Sequence, residues 1–378
     1  IALDWTAWGD IGMATRGSIP KMMELAGIDM LPAASGIPII RRELVSSSFA
    51  GEIVEGLRLG ILEKEWDATG GLDPFARRLA PRGPVSARLV SFPLHGGLVV
   101  ETDLDPKKQG FLFDHRIDGT AVLPGVMGIE AFAEAAAALF PGFRVAAVED
   151  VSFSSPFKFY RDEPRAVRVE AVLRPAGEAI EAECRLVGRR TLPGQAAPQE
   201  TVHFTARVRL ERGEPQGETF AAALECPGAP LAASDIYRVY FHGPAYQVLD
   251  GAWKNGSGVV GLFAAALPPN HLPDAPTLVA PRLVELAFQT AGVYELGTRG
   301  VMGLPLRVAR VRALRPPETA AGRLHAVVTP SASADGAFDA RVVDADGNVY
   351  LAVDGYRTVE LPGGADAALL EPFRAAMA

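Results

Sequence analysis

The sequence predicts an α+β fold in which one plan is used twice. The first observation is an apolar stretch over residues 126–140. In it Val126, Ile129, Phe132, Ala133, Ala136, Leu139 and Phe140 recur at three- and four-residue steps, the period of a helix with one buried face. The second lies just C-terminal to it. Val-rich, alternating segments at 145–153, 166–173, 179–187 and 201–210 are separated by Gly, Pro or charge clusters, as antiparallel strands are. The third is that the order recurs. Strands over 245–263 precede a helix starting at Ala280-Pro281, with Leu283, Val284, Ala287, Phe288 and Ala291 on one face. Strands near 306–313, 323–328, 337–344 and 349–353 come after it. A sheet that curls around a helix buries the helix's apolar stripe, and two such units side by side make a double hotdog.

In chain order, residues 1–66 mix short strand and helix signals, with helical candidates at 20–26 and 51–59. Residues 67–91 are rich in Gly, Pro and Arg and read as a linker. The first hotdog is placed at 92–215, opening with a strand signal at 97–102. The second is placed at 216–362, where Asp346-Gly347 is a strong hairpin signal. Residues 363–378, Ala-rich behind Gly363-Gly364, read as an exit linker, partly helical.

Composition narrows the function. The 378 residues suffice for two or three domains and a large core. A net charge of −8 without any basic run disfavours nucleic acid, whose phosphates need clustered Lys and Arg. The longest apolar stretches, such as 259–267, are too short to cross a membrane as a helix. Cys184 and Cys226 are isolated, which fits neither a disulfide framework nor a metal cluster and suits a reducing cytoplasm. No metal-binding spacing is expected among the six histidines. Gly256-Ser-Gly258-Val-Val-Gly261 is a literal GxGxxG, but it lacks a βαβ unit and reads as a hairpin turn, so no nucleotide cofactor is expected. The chain begins at Ile1 rather than Met and reads as an excised piece.

The stretch His115-Arg-Ile-Asp-Gly119-Thr-Ala-Val-Leu-Pro124-Gly125 places a histidine before a Gly/Pro turn that runs into the first helix. Gly119 permits φ > 0 or a close approach, and Pro124 fixes the start of the helix. The ring would then lie near the free N–H groups of a helix N-terminus, where negative charge is favoured.

The spacing His115-x3-Gly119-x4-Pro124 resembles the signature of the dehydratase domain of type I polyketide synthases and related fatty-acid synthases. Two further segments resemble that family's motifs in the expected order. Phe241-His242-Gly243-Pro244-Ala245-Tyr246-Gln247 is similar to its Gly-Pro-x-aromatic segment, with His242 where tyrosine is usual in the modular enzymes. Val284-Glu285-Leu-Ala-Phe-Gln289 is similar to its Asp-x3-Gln/His helix, with Glu285 in place of aspartate. The resemblance spans roughly residues 90–362, and it is the ordered set of three that makes it specific. Glu285 and the His-Gly-Pro-Ala form are similar to iterative synthases, including enediyne and polyunsaturated-fatty-acid types. Residues 1–14 resemble the closing segment of a ketoreductase, whose nucleotide loop would lie far upstream.

The resemblance implies removal of water from a β-hydroxyacyl thioester on an acyl carrier protein. That reaction needs a base for the α-proton, an acid for the departing hydroxyl, and donors for the thioester oxygen. Histidine suits the first because its pKa lies near working pH. A carboxyl group whose pKa is raised by burial suits the second, and helix N-terminal N–H groups suit the third. His115 is the expected base and Glu285 the expected acid. Gln289, four residues on and on the same helix face, would orient the carboxyl or the substrate hydroxyl. The N–H groups of Gly125 and Val126 are the candidates for the oxygen. Gly119, Pro124, His242, Gly243, Pro244 and Tyr246 complete the expected substrate site; for His242, substrate contact and turn packing stand as equal readings. Glu285 carries one more methylene than aspartate, about 1.5 Å of reach. A misplacement near 1 Å costs on the order of 100-fold in rate, so the backbone must be set back or activity is altered. Asp250 and Asp274 are reserve carboxylates.

The expected partners are an acyl carrier protein, neighbouring synthase domains such as a ketoreductase, and a second copy of the chain. The acyl group would ride on phosphopantetheine, with no cofactor held by this segment. Competing readings are a product-template aldol cyclase on the same scaffold, a degenerate structural or docking module, and a hotdog thioesterase. Outside the motifs, His95, His203, His271 and His325 read as structural or exposed, and Asp114 and Asp118 as solvated loop acids.

Overall fold

The computed structural model describes residues 2–46, 52–60, 83–85, 88–91, 97–140, 142–190, 198–271, 275–361 and 366–378. His95, Asp274 and most of the expected linker at 67–91 lie outside the described residues. The chain divides into one unit of residues 1–72 and another of residues 73–378.

In the first unit, β1 (Ala2–Trp5) pairs in parallel with β2 (Glu52–Glu55), Leu3 opposite Ile53. Helices α1 (Ile19–Leu25) and α2 (Ala33–Ser46) lie between them in sequence. The helix expected at 51–59 is therefore a strand. Ile53 and Val54 are β-branched and fit a pleated edge, and β1, some fifty residues earlier, supplies a hydrogen-bonding partner that local periodicity does not reveal.

The second unit carries the double hotdog. Its first half contains β3 (Arg88–Ser91), β4 (Leu98–Leu104), the short α3 (Gly110–Phe113), the small hairpin β5 (Arg116–Ile117) and β6 (Thr120–Val122), and the helix α4 (Gly125–Ala137). β7 (Arg144–Phe153), β8 (Lys158–Phe159), β9 (Arg165–Ala176), β10 (Ala179–Arg190) and β11 (Gln199–Glu211) follow. The second half contains β12 (Leu231–Ala232), α5 (Ala233–Ile236), β13 (Leu249–Asn255), β14 (Gly258–Phe263) and the helix α6 (Pro281–Arg299). After these come β15 (Gly303–Ala313), β16 (His325–Pro330), β17 (Phe338–Val343), β18 (Val349–Glu360) and α7 (Ala367–Met377).

Among the described residues thirteen strands form one sheet, in the order β12-β13-β14-β16-β17-β18-β15-β7-β11-β10-β9-β4-β3. The halves meet at the antiparallel pair β7–β15, with Val148 opposite Val311 and Val151 opposite Val308. The sheet takes in β3, so the first hotdog starts before residue 92, inside the stretch expected as linker. Val85 is buried there, and its carbonyl accepts from the Thr102 hydroxyl.

α4 differs from the one-sided helix the periodicity predicts: Val126 through Ala137 are all buried. The sheet covers one side of it, and α6 packs against it as well. Phe132 is fully buried, a burial worth about 1.5–3 kcal/mol. Glu130 and Glu134 are buried too. Glu130 accepts from Leu278 N at 2.6 Å and Val279 N at 3.0 Å, and Glu134 accepts from Val85 N at 3.0 Å.

The segment expected as an exit linker contributes instead to the core. α7 starts with the Asp366 side chain accepting from Ala368 N, and Leu370, Phe373 and Met377 are buried. Gly297 of α6 leaves room for it, since a Cβ there would lie 2.3 Å from Met377 Cγ. The GxGxxG run is the β13–β14 hairpin. Gly256 turns it at φ 58°, and a Cβ at Gly261 would sit 2.1 Å from Thr290 Oγ1 of α6, so that glycine permits close helix–sheet packing. No helix among the described residues is long and apolar enough to cross a membrane.

Candidate active site

The His115 loop is held by local hydrogen bonds. Asp118 and Gly119 take φ values of 49° and 75° at the tip of the β5–β6 hairpin, the turn that an Asp-Gly pair favours. Gly119 is exposed there, and its carbonyl accepts from Arg116 Nη1 at 3.0 Å. The hairpin brings Val122 back to His115: Val122 N donates to His115 O at 3.0 Å, and His115 Nδ1 donates to Val122 O at 2.8 Å. That bond puts the ring proton on Nδ1 and leaves the lone pair on Nε2. Pro124 caps α4, and the N–H groups of Gly125 and Val126 open it, without intrahelical acceptors. Met127 N and Gly128 N both donate to Pro124 O.

The second-half segment is laced onto this loop. His115 and His242 form an antiparallel bridge, and Gly243 N donates to Asp114 O at 2.7 Å. The Asp114 carboxylate accepts from Ala245 N at 2.8 Å, so Asp114 is a fastener between the halves rather than a solvated loop acid. A Cβ on Gly243 would lie 2.5 Å from Asp114 Oδ1, which explains the glycine. Pro244 starts the single turn Pro244–Tyr246 and is exposed; Tyr246 beneath it is fully buried, its ring 6.1 Å from that of His115.

α6 delivers the carboxylate. His242 Nε2 and Glu285 Oε1 are 3.1 Å apart, and Gln289 Nε2 donates to the same oxygen at 2.9 Å. Gln289 Nε2 also donates to Tyr246 O, while Gln289 Oε1 accepts from the Tyr237 hydroxyl. That hydroxyl in turn accepts from Leu249 N at 2.7 Å. The imidazoles of His115 and His242 lie 5.4 Å apart. His115 is 8% exposed and Glu285 6%. The structure thus brings His115, His242, Tyr246, Glu285 and Gln289 into one buried cluster. Asp250 is elsewhere, exposed and paired with Arg323.

Electrostatics separates the groups. Burial, aided by His242, lowers the His115 pKa to about 4 against the pull of Glu285, so the ring is neutral at pH 7. For Glu285 burial acts upward, but the His242 hydrogen bond, the charges of His242 and His115, and the Gln289 amide outweigh it and hold the carboxyl below its usual range. The sequence expectation of a burial-raised acid at this position is corrected: Glu285 rests as a carboxylate.

A cavity of about 230 Å³ opens beside the cluster, lined by Ile117, Asp118, Arg238, Val239, Phe241 and Met302 among others. Its lining does not include His115 or Glu285. Phe241 links the two: its ring stacks on His242 at 4.3 Å and meets His115 edge-on at 5.2 Å. Phe241 carries no motif signal beyond its place next to His242, and the pairing of His242 with Glu285 was not legible from spacing. Of the remaining histidines, His203 packs on Phe157 at 4.7 Å, His271 bonds Asn270, and His325 packs on Trp253.

The family model described as Polyketide synthase dehydratase domain matches residues 85–196, and that described as Polyketide synthase dehydratase N-terminal domain matches residues 222–368. A polyunsaturated fatty acid synthase chain of Thraustochytrium sp. is 24% identical over 81% of this chain and 10% of its own length. Phthioceranic/hydroxyphthioceranic acid synthase of Mycobacterium tuberculosis is 28% identical over 68% of this chain and 12% of its own. The chain thus spans about a tenth of these relatives, which are long synthases. Among solved structures, the dehydratase domain from the CurF module of curacin polyketide synthase superposes with a TM-score of 0.61 at 18% identity, covering 74% of this chain and 99% of that one. A trans-AT polyketide synthase dehydratase domain from Brevibacillus brevis gives 0.59 at 20% identity, covering 74% and 98%. These superpositions show the double hotdog.

Proposed function

The chain belongs to the polyketide synthase dehydratase family, and from that membership we propose that it removes water from a β-hydroxyacyl thioester to give the α,β-enoyl thioester. The observation that carries this is the meeting of His115 from one half with His242 and Glu285 from the other in one cluster. His115, neutral and with Nε2 free, takes the α-proton. The His242–Glu285–Gln289 side receives the β-hydroxyl. The N–H groups of Gly125 and Val126 serve the thioester oxygen, where charge gathers as the α-proton leaves.

The acyl group rides on the phosphopantetheine of an acyl carrier protein, and this segment holds no cofactor of its own. Its place within much longer relatives supports neighbouring synthase domains as partners. The same reading takes residues 1–66 as the closing segment of a ketoreductase, supported by the parallel β1–β2 pair. It also takes the protein to be a cytoplasmic homodimer; the two cysteines, both free, accord with a reducing compartment.

The test offers a 3-hydroxyacyl carrier protein and follows the loss of one water by mass. The parent is expected to convert it and His115→Ala is not. Equal rates for the two remove His115 as the base.

A further inference from the structure

We propose that His242 is a catalytic residue, the carrier of the proton that departs with the β-hydroxyl, and that Glu285 is its positioning carboxylate rather than the donor itself. This rests on the dehydratase reading and deepens it.

The geometry is that of an imidazole held by a carboxylate. His242 Nε2 meets Glu285 Oε1 at 3.1 Å with both side chains buried. Gln289 Nε2 donates to the same oxygen, so two N–H groups converge on it. An oxygen that accepts two N–H bonds is stabilised as an anion. The mobile proton of the pair then resides on the ring. The carboxylate holds the proton on Nε2, and among the described residues His242 Nδ1 has no hydrogen-bond partner, so Nδ1 is the ring nitrogen left for the substrate. The groups around the ring are His115, Glu285, Tyr240 and Phe241. Of these, Glu285 alone is anionic at neutral pH, and it faces Nε2 directly.

The step balances. The Cα–H bond breaks and its proton goes to His115 Nε2. The electron pair forms the C=C bond as the C–O bond breaks. Imidazolium His242 keeps its Nε2 proton on Glu285 and gives its Nδ1 proton to the leaving oxygen, which departs as water. His115 ends charged and His242 neutral. Transfer of one proton between the two rings, 5.4 Å apart, restores the starting state. Base and acid are thus two histidines, one from each half of the fold.

The test compares two leaving groups in the full chain. A 3-hydroxyacyl thioester needs a proton to expel water. A 3-chloroacyl thioester expels chloride without one and still needs His115. His242→Asn and His242→Tyr are expected to lose dehydration by on the order of 100-fold or more while eliminating chloride at close to the parental rate. His115→Ala is expected to lose both. If either His242 variant retains parental dehydration, or if both substrates fall together in a variant that melts like the parent, His242 is not the donor. A parent inert toward both substrates removes the dehydratase reading and this proposal with it; with a parent active on both, the variants bear on His242 alone.

Discussion

Asp114 and Ala245 are joined across the two halves of the fold: the Asp114 carboxylate accepts from Ala245 N at 2.8 Å, next to the bond from Gly243 N to Asp114 O. This fastens the turn that carries His242 to the residue before His115. Asp114→Ala leaves the N–H of buried Ala245 without an acceptor, at a cost of about 1–3 kcal/mol. Asp114→Asn keeps a carbonyl oxygen and is expected to lose much less. Urea midpoints for the two variants check the order. A dehydration assay is expected to follow it, since the two imidazoles depend on this fastening; an Asp114→Ala variant with parental midpoint and turnover would show the bond to be incidental.

His115 is held neutral chiefly by burial, and Phe241 covers one edge of its ring. In ring-proton NMR its midpoint is expected near pH 4. Phe241→Ala admits water, weakens the desolvation and moves the midpoint up towards the ordinary histidine value of about 6.5. An unmoved midpoint in that variant would mean that other walls of the site do the desolvating.

Much of this arrangement was legible in the sequence, because both candidate motifs adjoin or sit on strongly patterned elements. The i, i+4 spacing of Glu285 and Gln289 put both on one face of α6, and there they share a hydrogen bond. Gly119 announced a turn, and it takes positive φ. What escaped depended on contacts between remote segments. Glu130 and Glu134, four apart on an Ala-rich helix, lie off the apolar stripe that the periodicity marks, yet they bind backbone N–H groups of chain far away in sequence. The strand at Glu52–Glu55 needed β1 as its partner. Leu370, Phe373 and Met377 looked like part of a tail because nothing local shows the groove on α6 that receives them. His242 stood in a recognisable motif, but its pairing with Glu285 is tertiary.

Gln289 ties two groups, the Tyr237 hydroxyl and Tyr246 O, to the Glu285 carboxylate. Gln289→Leu is nearly the same size but leaves Tyr246 O and the Tyr237 hydroxyl short of a partner, so a loss of about 2–4 kcal/mol is expected. Gln289→Glu sets a second carboxyl against Glu285. Like charges so placed raise the pKa of one of the pair, and the His242–Glu285 contact is expected to weaken. Turnover should fall with a smaller change in KM, because the loss concerns proton transfer rather than substrate capture. A change confined to KM would contradict this.

Glu130 and His115 give opposite slopes to stability against pH. The buried His115 ring has a folded pKa of about 4 against an unfolded value near 6.5, so between these the unfolded chain binds more protons and stability rises with pH. Burial raises Glu130 to about 7 against the donation of Leu278 N and Val279 N, well above its unfolded 4.5. Between those values the folded chain binds more protons; the contribution is complete below pH 4.5 and is lost as pH rises through 7. Each slope is worth on the order of 3 kcal/mol over its window, and the two offset each other between pH 4.5 and 6.5. Melting curves across that range are expected to separate them. Glu130→Gln removes the falling term, so its melting temperature should climb with pH more steeply than the parent's. His115→Phe removes the rising term and should bend the curve the other way. Parallel curves for the parent and both variants would show that neither buried group titrates differently in the folded and unfolded chains.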